Sequence, residues 1–325
     1  MGSRIKSVAV LSEVPNIFAC VTKLLPAINV QEITPGSNDA LSQLQKAEVI
    51  LADFDKISNY INQLKETKWI QGTWAGVELL LRQYAKNQIR PSCPIARFSG
   101  NHFGTIMSEY VVAHVTSFER DFPATWEAQK EKKWNLCGKI RDYRAIRDME
   151  VGILGGGQIG LHMAGVLKML GARIWCLVRT IPDTKSSSVD EYRLTNQLDE
   201  ILTNCDLLVN VLPKTPATRG LLNSDNLSKC RNTLFVNVGR GSIVSEADLV
   251  EALEKRYLRG AILDVFNAEP LPSDSQLWEL PQVVITPHVA GLTRAQDVAS
   301  HFKQNLDLWN NEGRLMNVID FERGY

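Results

Sequence analysis

The sequence has no surplus of charge of either sign, because its 325 residues contain 36 Lys and Arg and 36 Asp and Glu. A chain without a basic excess or a basic tract lacks the usual electrostatic means of binding nucleic acid or an anionic membrane surface. It also has no apolar run near the roughly 18 residues that a membrane-spanning helix requires. We therefore expect neither a nucleic-acid partner nor a membrane partner.

Paired cysteines are also missing, since none of the six cysteines stands in a C-x-x-C pair. Several lie inside apolar stretches, as Cys176 does in IWCLV, and we interpret them as reduced core residues. This usage predicts a cytoplasmic protein with neither a disulfide framework nor a metal site. No repeat with a period of 20–50 residues is present, which excludes a solenoid.

The chain does contain an alternation of short apolar runs with helix-period segments, which is typical of parallel sheets with crossover helices. The predicted strands are SVAVLS, EVILAD, KWIQGT and PIARF, then VGIL, ARIWCLV, DLLVNVL, TLFVNV, GAILDV and VVITP. The predicted helices lie near residues 14–25, 54–65 and 77–88, from about Thr105 to Lys132 with a break or kink at Pro123, and from about Thr293 to Asn310. The predicted fold class is α/β, with two doubly wound parallel-sheet domains, Rossmann-like or flavodoxin-like, and a cleft between them.

A glycine motif, Gly155-x-Gly157-x-x-Gly160, follows the predicted strand VGIL and precedes a helix that begins near Gln158. In this context the first glycine permits a tight turn, the second lets the backbone approach a pyrophosphate, and the third lets the helix pack against the strand. The helix N-terminus then offers N–H groups and a positive dipole to the phosphates. The motif predicts a dinucleotide site.

The end of the next strand, ARIWCLV, is where an NAD site usually carries Asp or Glu. Here Val178 is followed by Arg179 and Thr180. Arg179 is suited to stacking on adenine and to pairing with a 2′-phosphate. The sequence therefore favours NADP as the preferred cofactor with NAD as a possible one, although an exposed strand-end arginine with loose cofactor preference remains an alternative.

Three further polar residues each follow a predicted strand of the same block: Arg240 in VNVGRGS, Glu269 in LDVFNAEP and His288 in VVITPH. Because ligands of such folds bind at the carboxyl ends of the strands, these residues are expected to converge. They suit the reduction of a ketone, in which a protonated histidine supplies the proton and a carboxylate stabilises and orients the imidazolium. The arginine holds a substrate carboxylate and polarises the carbonyl.

A fourth candidate is the segment WAGVE between a predicted strand and a helix. The backbone N–H groups of Ala75 and Gly76 are candidates for cradling the substrate carboxylate. An ordinary turn glycine explains the segment equally well.

Together these segments resemble the D-isomer-specific 2-hydroxyacid dehydrogenases. The resemblance rests on five ordered motifs: the glycine motif, LPKTPAT at Leu212–Thr218, NVGRG at Asn237–Gly241, DVFNAEP at Asp264–Pro270 and TPH at Thr286–His288. It implies Arg240, Glu269 and His288 as the catalytic set, and we expect Arg240, Ala75 and Gly76 to bind the substrate. It also implies cofactor contacts near Leu212, Pro213, Val238 and Asp264, and the full set of expected cofactor-binding residues is Gly155, Gly157, Gln158, Ile159, Gly160, Arg179, Thr180, Leu212, Pro213, Thr218, Val238, Gly239, Asp264 and Gly291.

The same resemblance implies a discontinuous substrate-binding domain at residues 1–104 and 289–325, and a dinucleotide-binding Rossmann domain at residues 105–288. It also implies a homodimer. Val-Arg-Thr at the end of the second strand and the run from LDVFNAEP to TPHVAGLTR look like the short NADPH-dependent glyoxylate/hydroxypyruvate reductases. The expected reaction is hydride transfer from NAD(P)H to a small 2-oxo acid, giving the D-2-hydroxy acid. The alternative is a dinucleotide-sensing, corepressor-like protein of the same fold with little or no turnover.

Overall fold

A computed structural model describes residues 4–322 and Gly324. The predicted domain ranges thus include five residues, Met1–Ser3, Arg323 and Tyr325, that lie outside this description. By its internal contacts the chain divides into two units, of which one runs to Phe103 and resumes at Thr293 and the other is Gly104–Leu292. Among the described residues, no helix is both long and apolar enough to span a membrane.

Strands and helices alternate along the chain and are numbered in chain order. The strands are β1 Ser7–Leu11, β2 Asn29–Glu32, β3 Val49–Ala52, β4 Trp69–Gly72, β5 Ile95–Ala96, β6 Glu150–Leu154, β7 Arg173–Val178, β8 Glu191–Leu194, β9 Leu207–Asn210, β10 Thr233–Asn237, β11 Leu258–Leu263 and β12 Val283–Ile285. The α-helices are α1 Ile17–Leu24, α2 Ala40–Leu44, α3 Phe54–Ile57, α4 Glu78–Ala85, α5 Asn101–Glu119, α6 Phe122–Lys130, α7 Gln158–Met169, α8 Leu198–Asn204, α9 Ser224–Leu227, α10 Glu246–Glu254 and α11 Ala295–Glu312. Single 3₁₀ turns lie at Ile61–Gln63, Gly138–Ile140, Ile146–Asp148, Thr195–Gln197, Gly241–Ile243 and Gln276–Glu279.

The first unit is built on a parallel sheet of five strands in the order β2-β1-β3-β4-β5. Neighbouring side chains of its central strands belong to different core clusters, since Val8 and Val10 pack on one face while Ala9 and Leu11 pack on the other. This is the alternation that strand geometry imposes. Helices α1 and α11 cover the first face and helices α2 to α4 cover the second, so both faces are buried.

The second unit is built on a parallel sheet of seven strands in the order β12-β11-β10-β9-β6-β7-β8. The strand order reverses between β6 and β9, because the chain runs outward from β6 through β7 to β8 and then returns to β9. Such a switch point is where open α/β sheets bind ligands, beyond the carboxyl ends of the strands. The predicted fold class, α/β with two doubly wound parallel sheets, is confirmed.

The predicted long helix from about Thr105 to Lys132 is two helices, α5 and α6. The break falls at Asp121, whose backbone has a left-handed φ of 50°, and not at Pro123. Pro123 lies in the first turn of α6, where its missing N–H removes no intrahelical hydrogen bond. The proline therefore starts the second helix and does not kink a single one.

Two strands, β2 and β8, had no counterpart in the sequence prediction, and each is the last strand at one edge of its sheet. Most side chains of β2 are exposed, and those of β8 are mainly half-buried. A strand with one partner and little core contact needs few apolar residues, so NVQE and EYRL carry no hydrophobic pattern.

Candidate functional site

The loops that follow the strands of the second unit lie at one edge of its sheet, because all seven strands are parallel. Every candidate motif of the sequence from Gly155 onward follows one of these strands: the glycine motif after β6, Arg179 after β7, Leu212 after β9, Arg240 after β10, Glu269 after β11 and His288 after β12. The candidate site lies at this edge, which is formed by the carboxyl ends of the strands.

The turn after β6 fits a dinucleotide phosphate. Gly155 has a φ of +121°, a conformation that favours glycine, and a Cβ on Gly160 would lie 1.9 Å from the carbonyl oxygen of Gly155. A Cβ on Gly157 would meet no described atom within 4 Å, and none of the described side chains caps the amino end of α7. The first N–H groups of a helix have no intrahelical partner, so this open, uncapped turn offers them to an anion.

Gly156 is a part of this turn that the sequence motif does not identify. A Cβ there would lie 2.5 Å from Cγ1 of Val178 and 3.0 Å from Sγ of Cys176, so the turn after β6 packs directly against the end of β7. Arg179 and Thr180 follow at once and are exposed. The signal for Gly156 is only that it is the middle glycine of the run GGG, because the sequence does not show that β7 lies so close.

A buried amide pair braces the next two loops. Asn210 at the end of β9 donates from Nδ2 to Oδ1 of Asn237 at the end of β10, at 2.8 Å. The Asn210 side chain also accepts from the N–H of Leu212 at 3.1 Å, while Asn237 donates to the carbonyl oxygen of Arg240 at 3.2 Å. Both asparagines are at most 1% exposed, so their hydrogen bonds fix the loops that carry Leu212 and Arg240. Sequence reasoning missed Asn210, which reads as an interruption of an apolar strand.

Arg240 extends from the loop after β10 in a half-buried position. Its Nη1 donates to the carbonyl oxygen of Gly239 at 2.7 Å. The next residue, Gly241, approaches the loop after β11 so closely that an added Cβ would lie 2.0 Å from the carbonyl carbon of Phe266. The loop of Arg240 therefore packs backbone to backbone against the loop that carries Glu269.

Glu269 and His288, which are 19 residues apart in sequence, form a hydrogen-bonded pair. Nδ1 of His288 lies 2.7 Å from Oε2 of Glu269, and the other oxygen, Oε1, accepts from the N–H of Phe266 at 2.8 Å. The His288 side chain is 52% exposed and that of Glu269 36%, so the pair faces solvent and is accessible to a small molecule.

His288 has a left-handed backbone, with a φ of 56°, which costs free energy for a residue other than glycine. The carbonyl oxygen of Asp264 accepts from the N–H of His288 at 2.9 Å. The Asp264 carboxylate accepts from the N–H of Val289 at 2.8 Å and of Ala290 at 2.9 Å. Asp264 is 1% exposed, and its hydrogen bonds hold the turn in the conformation that presents the imidazole.

The other predicted residues occupy the same edge or the first unit. Thr218 bonds within its own loop, its hydroxyl donating to the carbonyl oxygen of Pro213 at 2.6 Å. Val238 is buried, and a Cβ on Gly239 would lie 2.9 Å from the carbonyl oxygen of Leu212. Gln158 is exposed, whereas Ile159, Leu212, Pro213 and Gly291 are half-buried.

In the first unit, Ala75 and Gly76 lie in the turn between β4 and α4. Both are half-buried, and the carbonyl oxygen of Ala75 accepts from Nη1 of Arg97 at 3.3 Å.

Chemically, the edge of the second unit combines a glycine turn with uncapped N–H groups, a guanidinium and a carboxylate-bound imidazole. A carboxylate only accepts hydrogen bonds, so Nδ1 of His288 carries a proton and Nε2 is the ring atom that gains or loses one. Within residues 4–322 and Gly324, no group of three or more His, Cys, Asp or Glu residues is placed to hold a metal ion.

This chain is similar in sequence and in fold to known proteins. Residues 112–290 match the family model of the D-isomer specific 2-hydroxyacid dehydrogenase, NAD binding domain. A D-isomer specific 2-hydroxyacid dehydrogenase family protein from Aeromonas salmonicida is 30% identical, with a TM-score of 0.83 over 97% of this chain and 99% of the other. A D-isomer specific 2-hydroxyacid dehydrogenase from Xanthobacter autotrophicus, crystallised with NADPH and MES, is 27% identical, with a TM-score of 0.84 over 99% and 100%.

A third solved structure is an NADPH-dependent glyoxylate/hydroxypyruvate reductase from Sinorhizobium meliloti, in complex with NADP and sulfate. It is 26% identical, with a TM-score of 0.82 over 98% of this chain and 100% of the other. The family match spans the whole edge on which the glycine turn, Arg240 and the Glu269–His288 pair lie. The chain belongs to the D-isomer specific 2-hydroxyacid dehydrogenase family and is an NAD(P)-dependent dehydrogenase.

Proposed function

We propose that the protein reduces the ketone of a small 2-oxo acid, of the glyoxylate or hydroxypyruvate type, to the D-2-hydroxy acid. The observation that carries this proposal is the 2.7 Å hydrogen bond between His288 and Glu269 at the carboxyl edge of the dinucleotide-binding sheet. An imidazole held by a carboxylate is the proton donor that ketone reduction needs. The glyoxylate/hydroxypyruvate reductase from Sinorhizobium meliloti supports the substrate class.

When bound, the reduced nicotinamide supplies a hydride to the carbonyl carbon. The carbonyl oxygen then takes a proton from Nε2 of His288, which solvent restores to the exposed ring afterwards. Glu269 keeps its hydrogen bond with Nδ1 throughout, stabilises the imidazolium and fixes the plane of the ring. Because Oε1 of Glu269 is held by the N–H of Phe266, the carboxylate does not have to reorient during turnover.

Arg240 is proposed to hold the substrate carboxylate, because a guanidinium can make two parallel hydrogen bonds to it. The loop that carries Arg240 is braced by Asn237 and by the backbone contact of Gly241 with Phe266. We propose the N–H groups of Ala75 and Gly76 as further contacts of the substrate carboxylate. Their place in the turn before α4 supports this role.

NADP is the proposed preferred cofactor, with NAD as the alternative. At the end of β7 the chain has Val178, Arg179 and Thr180 in place of the carboxylate that binds an unphosphorylated ribose. The relatives from Xanthobacter and Sinorhizobium that were crystallised with NADPH or NADP support this preference. Phosphate contacts are proposed for Gly155, Gly157, Gln158, Ile159 and Gly160, and the remaining contacts for Leu212, Pro213, Thr218, Val238, Gly239, Asp264 and Gly291.

We also propose a homodimer in the cytoplasm. The segment that includes α6 exposes large apolar side chains, with Trp134 93%, Leu136 57% and Trp126 56% exposed. Such side chains favour burial against a second copy of the chain. All six cysteines are described and none forms a disulfide, which agrees with a reducing compartment.

The test is the loss of reduced-nicotinamide absorbance with purified protein, NADPH or NADH, and glyoxylate, hydroxypyruvate, pyruvate or phenylpyruvate. Oxidation of NADPH with at least one acid supports the reductase, and the NADH reaction measures the cofactor preference. Tight cofactor binding without turnover on any acid would instead favour the dinucleotide sensor. His288→Ala is the matched variant: turnover should fall by two or more powers of ten with cofactor binding retained, given the weight of acid–base catalysis.

A further inference from the structure

Tyr110, in the middle of α5, lies next to the turn that carries His288 although the sequence gives no reason to connect them. Its hydroxyl oxygen is 2.6 Å from Oγ1 of Thr286, and that atom is 2.5 Å from Oδ1 of Asp264. Both contacts are within the second unit. They form a continuous row of hydrogen bonds from α5 to the buried carboxylate.

The direction of these hydrogen bonds follows from the groups involved. A carboxylate can only accept, so Thr286 donates its single hydroxyl hydrogen to Asp264, and the Thr286 oxygen must then accept from Tyr110. Burial raises the pKa of Tyr110 to about 12, so the phenol keeps the proton that it donates at neutral pH. The ring of Tyr110 is packed against that of His114, with 4.2 Å between centroids, which limits its rotation.

The carboxylate at the end of this row determines the backbone around His288. Oδ1 of Asp264 accepts from both Thr286 and the N–H of Val289, and Oδ2 accepts from the N–H of Ala290. These bonds stabilise the left-handed backbone of His288. If the donor at Thr286 is misoriented, Oδ1 loses a partner and the carboxylate is held less firmly against the two N–H groups.

We propose that Tyr110 is a positioning residue for His288, acting through Thr286 and Asp264. The proposal rests on the proposed function, in which His288 supplies the proton. Tyr110 orients Thr286, Thr286 orients the Asp264 carboxylate, and the carboxylate fixes the turn at residues 288–290. A small error in the position of a proton donor reduces turnover strongly while ground-state binding changes little. Tyr110 reaches the proposed cofactor residues only through Asp264, whose hydrogen bonds from Val289 and Ala290 remain without it, so we expect its effect on kcat to exceed its effect on cofactor binding.

The direct test is Tyr110→Phe, which keeps the ring and its contact with His114 but removes the hydroxyl donor. We expect kcat to fall about tenfold, with the KM for the cofactor and its Kd by fluorescence within about twofold. Tyr84→Phe is the matched control, because it removes a tyrosine hydroxyl that donates to Glu322 at 3.0 Å in the first unit. It should leave kcat unchanged. An unchanged kcat in Tyr110→Phe would overturn the proposal.

A double-mutant cycle separates this relay, which is the hydrogen-bonded series Tyr110, Thr286 and Asp264, from a general packing defect. Thr286→Val should lower kcat as Tyr110→Phe does, and the double variant should lose no more than either single variant. Thr286→Ser, which keeps the hydroxyl, should restore turnover relative to Thr286→Val. Additive losses, or equal losses in the serine and valine variants, would overturn the relay.

Introducing Tyr110→Phe into the His288→Ala variant distinguishes the relay from the proposal that His288 is the acid. If His288→Ala is nearly inactive and Tyr110→Phe adds no further loss to it, Tyr110 acts through His288. If His288→Ala is nearly inactive but Tyr110→Phe alone turns over as the wild type does, only the relay is wrong. Full turnover in His288→Ala would contradict the proposed acid and, with it, the positioning role of Tyr110.

Discussion

Gly241 and Phe266 lie in backbone contact: a Cβ on Gly241 would be 2.0 Å from the carbonyl carbon of Phe266 and 2.3 Å from its oxygen. Neither atom belongs to a flexible side chain, so the two loops cannot accommodate a methyl group without separating. Gly241 follows Arg240 directly, and the N–H of Phe266 donates to Glu269. The contact therefore sets the spacing between the proposed substrate anchor and the carboxylate that holds His288.

Replacing Gly241 by alanine should consequently damage both stability and turnover. Overpacking of this kind costs about 1–3 kcal/mol of the free energy of unfolding, and we expect kcat/KM to fall at least about tenfold because the loops move apart. Urea unfolding and steady-state kinetics measure the two effects. Ser242→Ala, at the next residue, is the control and should be near wild type. A Gly241→Ala enzyme with wild-type kinetics would show that the loop spacing does not matter for turnover.

Arg240→Lys tests whether geometry or charge is required at the proposed carboxylate anchor. Lysine keeps the positive charge but cannot form two parallel hydrogen bonds, so we expect kcat/KM for the 2-oxo acid to fall about a hundredfold or more. Cofactor binding, followed by fluorescence, should persist. A loss below about threefold would argue that a point charge suffices and that Arg240 does not bind the carboxylate bidentately.

Arg179→Asp should shift cofactor preference from NADPH towards NADH, since a carboxylate repels a 2′-phosphate and accepts from a ribose hydroxyl. The measurement is kcat/KM for both cofactors with one 2-oxo acid. Arg231→Asp makes the same charge change at an exposed residue just before β10, at the opposite edge of the sheet, and should not alter the ratio. If the Arg179 variant keeps the wild-type ratio, the phosphate is bound elsewhere.

The imidazole of His301 should make stability depend on pH. His301 is 4% exposed, and burial, aided by repulsion from His102, lowers its pKa to about 4 in the folded protein from 6.5. Between these values the unfolded chain binds more protons, so stability is complete above pH 6.5 and is lost as the pH falls towards 4. The difference corresponds to about 3 kcal/mol at the lower limit.

Urea unfolding at pH 7 and pH 4 checks this expectation with the wild type and His301→Leu. The wild type should lose about 3 kcal/mol more than the variant over that interval, because only the wild type has to keep a buried imidazole neutral. Carboxylate titrations are common to both proteins and cancel in the comparison. Equal losses in the two proteins would mean that His301 does not resist protonation when folded.

The sequence predicted the buried strands well because each is a run of apolar residues, as expected for strands of a parallel sheet that are buried on both faces. It predicted the glycine turn because this turn requires glycine. Gly155 has a φ of +121°, and Gly160 lies too close to the carbonyl oxygen of Gly155 to carry a Cβ. Edge strands β2 and β8 were missed, since a strand with one partner carries no such pattern. Asn210, Tyr110 and the supporting hydrogen bonds of Asp264 were missed for another reason. Their partners are 22 to 176 residues away along the chain, and nothing local to them indicates a contact.

The strand pairing beneath Glu269 and His288 has a consequence for the accuracy of the site. Leu263 of β11 is paired with Ile285 of β12. Glu269 lies in the loop that follows β11, and His288 lies in the loop that follows β12. Sliding one strand past the other by a single residue displaces its loop by roughly 3.3 Å. That displacement is longer than the 2.7 Å separation of Nδ1 and Oε2. A shift of one residue between β11 and β12 would therefore break the hydrogen bond between His288 and Glu269. The pair forms only when the two strands keep their observed register, so no slightly shifted pairing of the strands would leave a working site.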